Sequence, residues 1–351
     1  MKRILLYYPS VNIPDGNWLR NSLLYTDKVA SIFPFQNIED ERVNKEMRTL
    51  FDEGLYNPIS VFDNFNHSHK ELEKFEKNFI ETVSSDEFKN VQSTITTYNR
   101  QQDLGLGDYE MYVNKLTENA SRFLTENNLM RYGLYDEVRV EKFSAIVYMS
   151  MLADYLACTN KDLVIPSTDE YEFERLAFQL SNEKTLTHRI QFDNCLPTPN
   201  SNVSIEKIIK FKKKREQELL QFRIELDKIE ADINAATDDI SRKRKMVQFQ
   251  EKVQKELIEI KKLMGDSKLD FILNSFSSLL DFKQKEIIGT ATGLGVAGIG
   301  IVSSLPLVGL GAGALLLSGT LVSSNRKINR QVEANSSSYI YYAQKEGILT
   351  H

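Results

Sequence analysis

The sequence predicts an α/β or α+β amino-terminal domain, followed by long coiled-coil helices and a glycine-rich apolar helical hairpin, with helix as the main secondary structure overall. Three observations support this prediction. Short aliphatic and aromatic runs alternate with amphipathic stretches over the first 200 residues. Apolar residues then repeat at steps of three and four, and a later stretch of 39 residues carries no charge. The predicted parts are 1–200, 204–264, 267–325 and a tail, 326–351.

The composition is that of a folded chain without a disulfide framework. The 351 residues are 41% hydrophobic and include two cysteines, Cys158 and Cys195, that form no CxxC pair. Residues 1–203 carry 31 acidic against 21 basic side chains, which argues against a nucleic-acid partner for the first domain. The first apolar run stops at Pro9 and is too short for a secretion signal, so we expect the amino-terminal domain to stay in the cytoplasm.

The first elements predicted are a strand and a helix. Residues 4–8, ILLYY, form a compact aliphatic and aromatic run that ends at Pro9 and is typical of a buried strand. Trp18, Ser22, Tyr25 and Val29 share one face of a predicted helix that ends before Pro34. Leu19, Leu23 and Ala30 lie on its neighbouring face.

Periodicity predicts further helices at 42–52, 70–83, 109–127 and 144–157, and a strand at 163–165 before Pro166. The first of these helices is expected to end at Gly54, because glycine is common just after a helix. Residues 196–202, LPTPNSN, have the composition of a linker.

From Ser204, which can cap a helix, an apolar heptad stripe runs towards Met264. An unbroken helix of this length would extend ~90 Å at ~1.5 Å per residue. The stripe predicts coiled-coil packing and a homo-oligomer formed through residues 204–264. Two alternatives stay open: an antiparallel helical hairpin that turns between 234 and 239, and an amphipathic helix of a globular bundle.

The uncharged stretch, residues 287–325, allows three interpretations. A nucleotide loop is one, because residues 293–298 match GxGxxG, but the acidic residue and the GK[ST] motif that such sites require are missing. A membrane hairpin is the second, since Pro306 and the serines before it divide the stretch into two arms, of 16 residues at 287–302 and of 18 residues at 305–322. A hairpin buried or stored within a soluble domain is the third.

The glycines favour the membrane hairpin. Small residues recur at every fourth position of each arm, which lets lipid-embedded helices pack closely. In water, nine glycines in a helix pair would each cost ~1 kcal/mol relative to alanine. Basic residues flank both ends of the stretch, so both ends are expected on the cytoplasmic side. The residues predicted to pack the hairpin are Gly289, Gly293, Ala297, Pro306, Gly309 and Gly313.

Candidate catalytic residues are few. Asp15, Asp27 and Asp169 lie near predicted strand ends, where active sites of α/β proteins collect, and Tyr8 or Tyr7 could join them. Helix capping explains Asp15 and Asp169 equally well. His67 and His69 could chelate a metal, but no cysteine or third histidine lies near them, and no GxSxG motif is present. The sequence therefore predicts neither a cofactor nor a metal site, and whether the chain is an enzyme stays open.

Four segments resemble a bacterial family of unknown function. They are ILLYYPSVNIPDGNWLRNSLLYTDKVASIFP, LFDEGLYNPIS, YMSMLADYLA and LVIPSTDEYEF, which together cover about residues 1–180. The resemblance implies a bacterial or phage-borne cytoplasmic domain and supplies no activity. It also suggests that the apolar hairpin is an added membrane module.

Together these patterns predict a bacterial protein at the cytoplasmic face of the inner membrane. A sensor or binding domain would be coupled through a coiled coil to a hairpin that anchors the protein in the lipid bilayer or disrupts it, as in a toxin-like or anti-phage effector. The alternatives are a cytoplasmic, soluble oligomeric enzyme with its site in the amino-terminal domain, and a scaffold bound through the coiled coil.

Overall fold

The structure, a computed structural model, describes residues 2–65, 69–90, 92–93, 108–170, 196–235, 239–264 and 331–349. The chain divides into two compact units, Met1–Arg189 and Ile190–His351. The predicted apolar hairpin, with Gly289, Gly293, Ala297, Pro306, Gly309 and Gly313, lies outside the described residues. So does the amphipathic helix that the apolar face of residues 269–282 predicts before it.

The first unit contains a parallel and an antiparallel sheet. The described strands are β1 Arg3–Tyr7, β2 Lys28–Phe33, β3 Tyr56–Ser60, β4 Tyr109–Tyr112, β5 Met130–Tyr132, β6 Glu137–Val140 and β7 Leu163–Ser167. The parallel sheet has the order β3-β2-β1-β7, and the antiparallel sheet has the order β4-β6-β5. In the parallel sheet, Leu5 of β1 lies between Val29 of β2 and Ile165 of β7.

Helices connect these strands, and local sequence explains several of their ends. The Asn44 and Thr117 side chains each accept a hydrogen bond from the backbone N–H three residues later, which caps the helix that follows. Gly54, at a φ of 71°, follows a helix in the left-handed conformation that favours glycine. The helices of this unit are α1 Asn17–Tyr25, α2 Lys45–Asp52, α3 Val61–Phe65, α4 His69–Ser84, α5 Glu118–Glu126 and α6 Lys142–Thr159.

The core of the first unit lies around α6, which buries most of its residues. Its Tyr148 hydroxyl donates to the backbone oxygen of Lys115 at 2.8 Å and accepts from the backbone N–H of Thr117 at 3.0 Å. Lys115 ends a short 3-10 helix, Val113–Lys115, and is only 3% exposed. A buried tyrosine thus ties the chain between β4 and α5 to the central helix.

Two predicted helices were wrong in part. The helix expected to reach Ala30 ends at Tyr25, and the following residues form β2 because they pair with β1. The helix expected over 109–127 is divided into β4, the 3-10 helix and α5. By contrast, the helices at α2, α4 and α6 and the strand at β7 are confirmed within a few residues.

The second unit is helical in its described residues. Ser204 caps the first helix, as predicted, by accepting from the backbone N–H of Lys207. An unbroken helix to Met264 is wrong, because one helix ends at Asn234 and the next begins at Asp239. The described helices are α7 Ile205–Lys214, α8 Glu216–Asn234, α9 Asp239–Met264 and α10 Ser338–Lys345.

α8 and α9 pack against each other in antiparallel directions. Two ion pairs define this direction: Lys252 with Glu225, and Lys245 with Asp232 at 3.8 Å. The antiparallel helical hairpin that the sequence left open is therefore the arrangement found. Positions of the predicted heptad stripe are buried on both helices, namely Leu219, Phe222, Leu226, Ile229, Gln250, Leu257 and Ile260.

α10 packs onto this helical hairpin. Its Tyr339 ring lies 5.2 Å from Phe211 and 6.3 Å from Phe222, measured between centroids. The Arg215 guanidinium bonds Glu346 at 2.9 Å and lies 3.6 Å from the ring centroid of Tyr342.

Candidate functional site

The carboxyl ends of the parallel strands define the first candidate site. β2 and then β3 follow β1 towards one edge of the sheet, and β7 pairs with the opposite edge of β1. The order of the strands along the chain therefore reverses at β1. In open parallel sheets this point, outside the carboxyl ends of the strands, is where ligands bind.

Aromatic side chains fill this crevice. The Tyr7 hydroxyl donates to Asp169 Oδ1 at 3.1 Å, and Trp18 Nε1 donates to Ser167 Oγ at 3.1 Å. The Tyr7 and Trp18 rings lie 4.8 Å apart. The Tyr109 hydroxyl donates to the backbone oxygen of Pro9. The three hydrogen bonds each join segments that are at least 100 residues apart in the sequence.

The electrostatics of the crevice keep Tyr7 neutral. Burial, and then the negative charge of Asp169, raise the pKa of the Tyr7 hydroxyl far above its ordinary value. At physiological pH Tyr7 is therefore a hydrogen-bond donor and cannot act as a base. Any chemistry at this point would use Asp169 as the acceptor and Tyr7 as the group that orients it.

The structure brings together Tyr7 and Asp169 of the acidic and tyrosine candidates that the sequence identified, and separates the others. Asp169 lies at the crevice, and Asp15 pairs with Arg20 at 2.6 Å in the loop that follows β1. Asp27 lies at the opposite end of the sheet, where it accepts from the backbone N–H of Arg3 at 2.7 Å. Tyr8 is fully buried in the core.

The separation of Asp27 from Asp169 is large. Arg3 and Tyr7 stand at the two ends of β1, which at ~3.3 Å per residue places these ends ~13 Å apart. The two carboxylates therefore cannot act on one substrate atom together.

A second candidate site, which we call the Arg42 cleft, lies at the carboxyl ends of β2 and β3. It encloses about 470 Å³. The Arg42 guanidinium makes two bonds of 2.8 Å to the carboxylate of Asp40 and lies 3.4 Å from Asp136. It stacks on Phe35, 4.2 Å from the ring centroid, and lies 5.5 Å from the centroid of Tyr112.

The Arg42 cleft is tied to the loop after β1. Asn12 Nδ2 donates to the backbone oxygen of Arg42 at 2.8 Å, and Asn12 Oδ1 accepts from the backbone N–H of Asn44 at 2.9 Å. The side-chain hydrogen bonds from Arg42 lower the pKa of Asp40 to about 2, so this carboxylate stays ionised. The ion pairs fix the orientation of Arg42, Asp40 and Asp136. The cleft presents carboxylate oxygens, carboxamide groups and aromatic rings to a ligand.

Sequence reasoning missed Arg42. The stretch 28–33 was assigned to a helix, so the residues after it were not expected at the carboxyl end of a strand. The signal that could have found them is Pro34 with Phe35, directly after a β-branched run and before the Asn44 cap.

The described residues contain no group of three histidine, cysteine or acidic side chains that could hold a metal ion. In the same part of the chain, no helix is both long and apolar enough to cross a bilayer.

The chain is thus an α/β protein whose first unit is an open parallel sheet with a crevice at the carboxyl ends of its strands. A helical unit follows it in the sequence. Residues 135–347 match a family of unknown function, DUF6236, and the chain belongs to that family. No curated protein and no solved structure shows a significant match.

The predicted membership of an uncharacterised family is confirmed, but the extent of the match differs from the expectation. We expected the resemblance over residues 1–180, whereas the match begins at 135 and reaches 347. It also spans the uncharged stretch 287–325. The suggestion that this stretch is a module added to the family is therefore not supported by the match.

Proposed function

We propose that this chain is a membrane-associated protein in which the helical unit carries the uncharged stretch, residues 287–325, into a lipid bilayer as a hairpin. The amino-terminal α/β unit serves as its sensor or binding domain. The observation that carries this proposal is the position of the two flanks of the stretch within the second unit.

The described residues nearest to the two ends of the stretch, α9 before it and residues 331–349 after it, belong to one packed set of helices. We call them the two flanks, and the second flank contacts α9. There the hydroxyls of Ser336 and Ser337 each donate to Glu256 Oε2 at 2.6 Å. Val332 is also fully buried. Two flanks held in contact stay on one side of a bilayer, so a stretch that enters it must cross an even number of times or dip and return.

The sequence of the stretch agrees with this topology. Thirty-nine residues without a charge are enough for two short arms, and the glycines at every fourth position favour close packing of those arms in lipid. Lys283 and Lys285 precede the stretch and Arg326, Lys327 and Arg330 follow it, as expected when both ends stay in the cytoplasm.

Self-association through residues 204–264 is part of the proposal. Leu220 and Ile224 lie one turn apart on α8 and are 53% and 49% exposed. Two large apolar side chains in adjacent turns favour a second copy of the helix as partner. Assembly would gather several short hairpins, which lowers the cost of spanning a bilayer that is thicker than the arms.

The proposal is tested by fractionating cells that express the full chain or a chain lacking residues 287–322, followed by flotation of both purified proteins with vesicles of anionic and zwitterionic lipid. We expect the full chain in the membrane fraction and the deletion in the soluble fraction. Equal soluble recovery of the two proteins would reject the proposal. Dye leakage from the same vesicles separates a pore-forming, toxin-like action from simple anchoring.

The topology has a test of its own. Cysteines introduced at the exposed positions Lys262 and Glu333, one on each flank, should react with a membrane-impermeant maleimide from the same side of sealed vesicles. Both native cysteines, Cys158 and Cys195, are replaced by serine in the two variants. Labelling of the two flanks from opposite sides would contradict the hairpin.

A second candidate function is ligand binding or catalysis by the first unit, favoured by the Arg42 cleft at the carboxyl edge of the sheet. Replacing Arg42 by alanine would remove both its ion pairs and its stacking on Phe35. A ligand that raises the thermal midpoint of the wild type and not of this variant would support the second function. The Arg42→Ala variant should bind vesicles like the wild type.

A further inference from the structure

The end of the β5–β6 hairpin carries the three most exposed large apolar side chains of the described residues. Tyr132 is 69% exposed, Leu134 is 78% exposed and Tyr135 is 99% exposed. They fall within four consecutive residues at the turn, so they form a small convex surface, which we call the hairpin tip. Neither function proposed above uses this tip.

Backbone hydrogen bonds hold the hairpin tip in one conformation. The N–H of Gly133 donates to the backbone oxygen of Glu137 at 2.9 Å, and the N–H of Glu137 donates to that of Leu134 at 3.3 Å. A Cβ at position 133 would lie 3.1 Å from the Glu137 oxygen, so glycine suits this close approach. Val138 and Val140, on the strand that follows, are fully buried. The tip is therefore a fixed projection on a buried base.

Tyr135 has a backbone conformation that tyrosine rarely adopts. Its φ is 60°, in the left-handed region that glycine and asparagine favour. A turn that only had to join β5 to β6 would take one of those two residues at this position. Because the Tyr135 side chain is 99% exposed, it adds nothing to the core that could offset the strain. The side chain therefore indicates a contact outside the fold.

The charged side chains beside the hairpin tip are mostly neutralised. Within the described residues, Glu137 is the one charged side chain of this hairpin that makes no ion pair. A surface with so little net charge gives a charged partner no electrostatic preference, so contacts of the tip are apolar. The three ion pairs are Arg131 with Asp108 at 2.7 Å, Arg139 with Glu110 at 2.8 Å, and Asp136 with Arg42 at 3.4 Å.

The size and the residue types of the hairpin tip favour a lipid interface over a protein partner. Three side chains with these exposures present on the order of 500 Å², since an aromatic side chain offers ~200 Å². A stable protein complex buries ~800 Å² on each partner. Tyrosine is enriched where a bilayer meets water, because its ring enters the apolar layer while its hydroxyl stays among the headgroups.

We propose that the hairpin tip inserts into the interfacial region of a lipid bilayer and so docks the first unit on a membrane. The two tyrosine rings lie at the boundary between headgroups and acyl chains, and Leu134 enters the acyl layer between them. This contact belongs to the first unit and needs no part of residues 287–325. It therefore goes beyond the membrane hairpin proposed above.

The test is quenching of tryptophan fluorescence by vesicles whose lipids carry bromine on their acyl chains. Tyr135→Trp in the full chain places a reporter at the tip, while Trp18, only 7% exposed, gives the wild-type background. We expect zwitterionic vesicles to quench Tyr135→Trp at least about threefold more than the wild type, with similar quenching in anionic vesicles and at high salt. Leu163→Trp, at a 42% exposed position that begins β7, is the matched control and should behave like the wild type.

A variant without the tip shows which side chains make the contact. With Tyr132→Trp as the reporter, adding Leu134→Ser and Tyr135→Asn should lower the quenching at least about threefold, and asparagine suits the positive φ, so the fold is kept. Unchanged quenching in this variant would overturn the assignment. Quenching that requires anionic lipid or disappears at high salt would overturn it too, because charge would then make the contact.

Two further outcomes distinguish this proposal from its alternatives. Tyr135→Trp emission that shifts with protein concentration in the absence of vesicles would assign the tip to a second copy of the chain instead of lipid. A full chain that floats with vesicles while Tyr135→Trp stays unquenched would refute the tip and leave the membrane hairpin standing. Quenched Tyr135→Trp, together with flotation that does not change when residues 287–322 are deleted, would refute the membrane hairpin and leave the tip standing.

Discussion

Replacing Lys115 by methionine is expected to stabilise the protein at neutral pH. Lys115 is 3% exposed, and in the described residues its ammonium makes no ion pair. Burial lowers the pKa of Lys115 to about 7 from the ordinary 10.5. The folded state therefore disfavours the charged lysine, and a methionine of similar length removes the charge while it keeps the apolar stem.

The pH dependence gives the magnitude and the sign. Between pH ~7 and ~10.5 the unfolded chain holds a proton that the folded state has released, so the free energy of unfolding rises with pH. Each unit of pH contributes ~1.36 kcal/mol per proton, so the rise from pH ~7 to ~9.5 is about 3 kcal/mol after allowance for partial titration near pH 7. Below pH ~7 the full penalty applies, and above pH ~10.5 it is gone.

Urea unfolding, followed by tryptophan fluorescence, is the appropriate assay because Trp18 is the only tryptophan and lies in the first unit. We expect Lys115→Met to be more stable than the wild type by about 4 kcal/mol near pH 7 and by about 1.4 kcal/mol near pH 9.5, so the difference shrinks by about 3 kcal/mol over this range. Lys89→Met, at an exposed lysine, is the matched control and should show no such gap. A wild-type unfolding free energy that is flat over this range, or a destabilised Lys115→Met at both pH values, would refute the reasoning.

Two further predictions concern ion pairs. Arg215→Gln should destabilise the second unit by about 1–2 kcal/mol, because it removes the bonds to Glu346 and the stacking on Tyr342, and it should increase hydrogen exchange in α10. Unchanged protection of α10 would show that the contact contributes nothing. Arg42→Gln should return the pKa of Asp40 from about 2 towards its ordinary ~3.9, as followed by carboxyl NMR titration. Since the lowered pKa stabilises the fold above pH ~4 and this contribution is lost as the pH falls towards 2, the variant should also be less sensitive to acid.

The elements that were predicted correctly have local causes. α6 shows apolar residues at helical spacing along its whole length, and α2 ends where Gly54 takes a positive φ. β2 was missed because Val29 and Ala30 continue the apolar face of the preceding helix, and nothing local marks the change. Its strand conformation depends on pairing with β1, which periodicity does not record.

The candidate site was predicted less well for the same reason. Tyr7 and Tyr8 are adjacent, and alternation along a strand sends one towards Asp169 and the other into the core, so the choice depends on register. Asp27 and Asp169 both lie at strand ends, but at opposite ends of the sheet. Only the order and direction of the strands distinguish these cases.

The position of β1 in the middle of its sheet has a consequence during synthesis. Its first neighbour, β2, leaves the ribosome soon after it, but its other neighbour, β7, emerges only near the end of the first unit. Until then the nascent chain presents one unpaired edge of a hydrophobic strand, a surface on which chains aggregate. Folding of this unit therefore includes a late, non-local pairing of β1 with β7, and such pairings are slow because a long loop must close before they form.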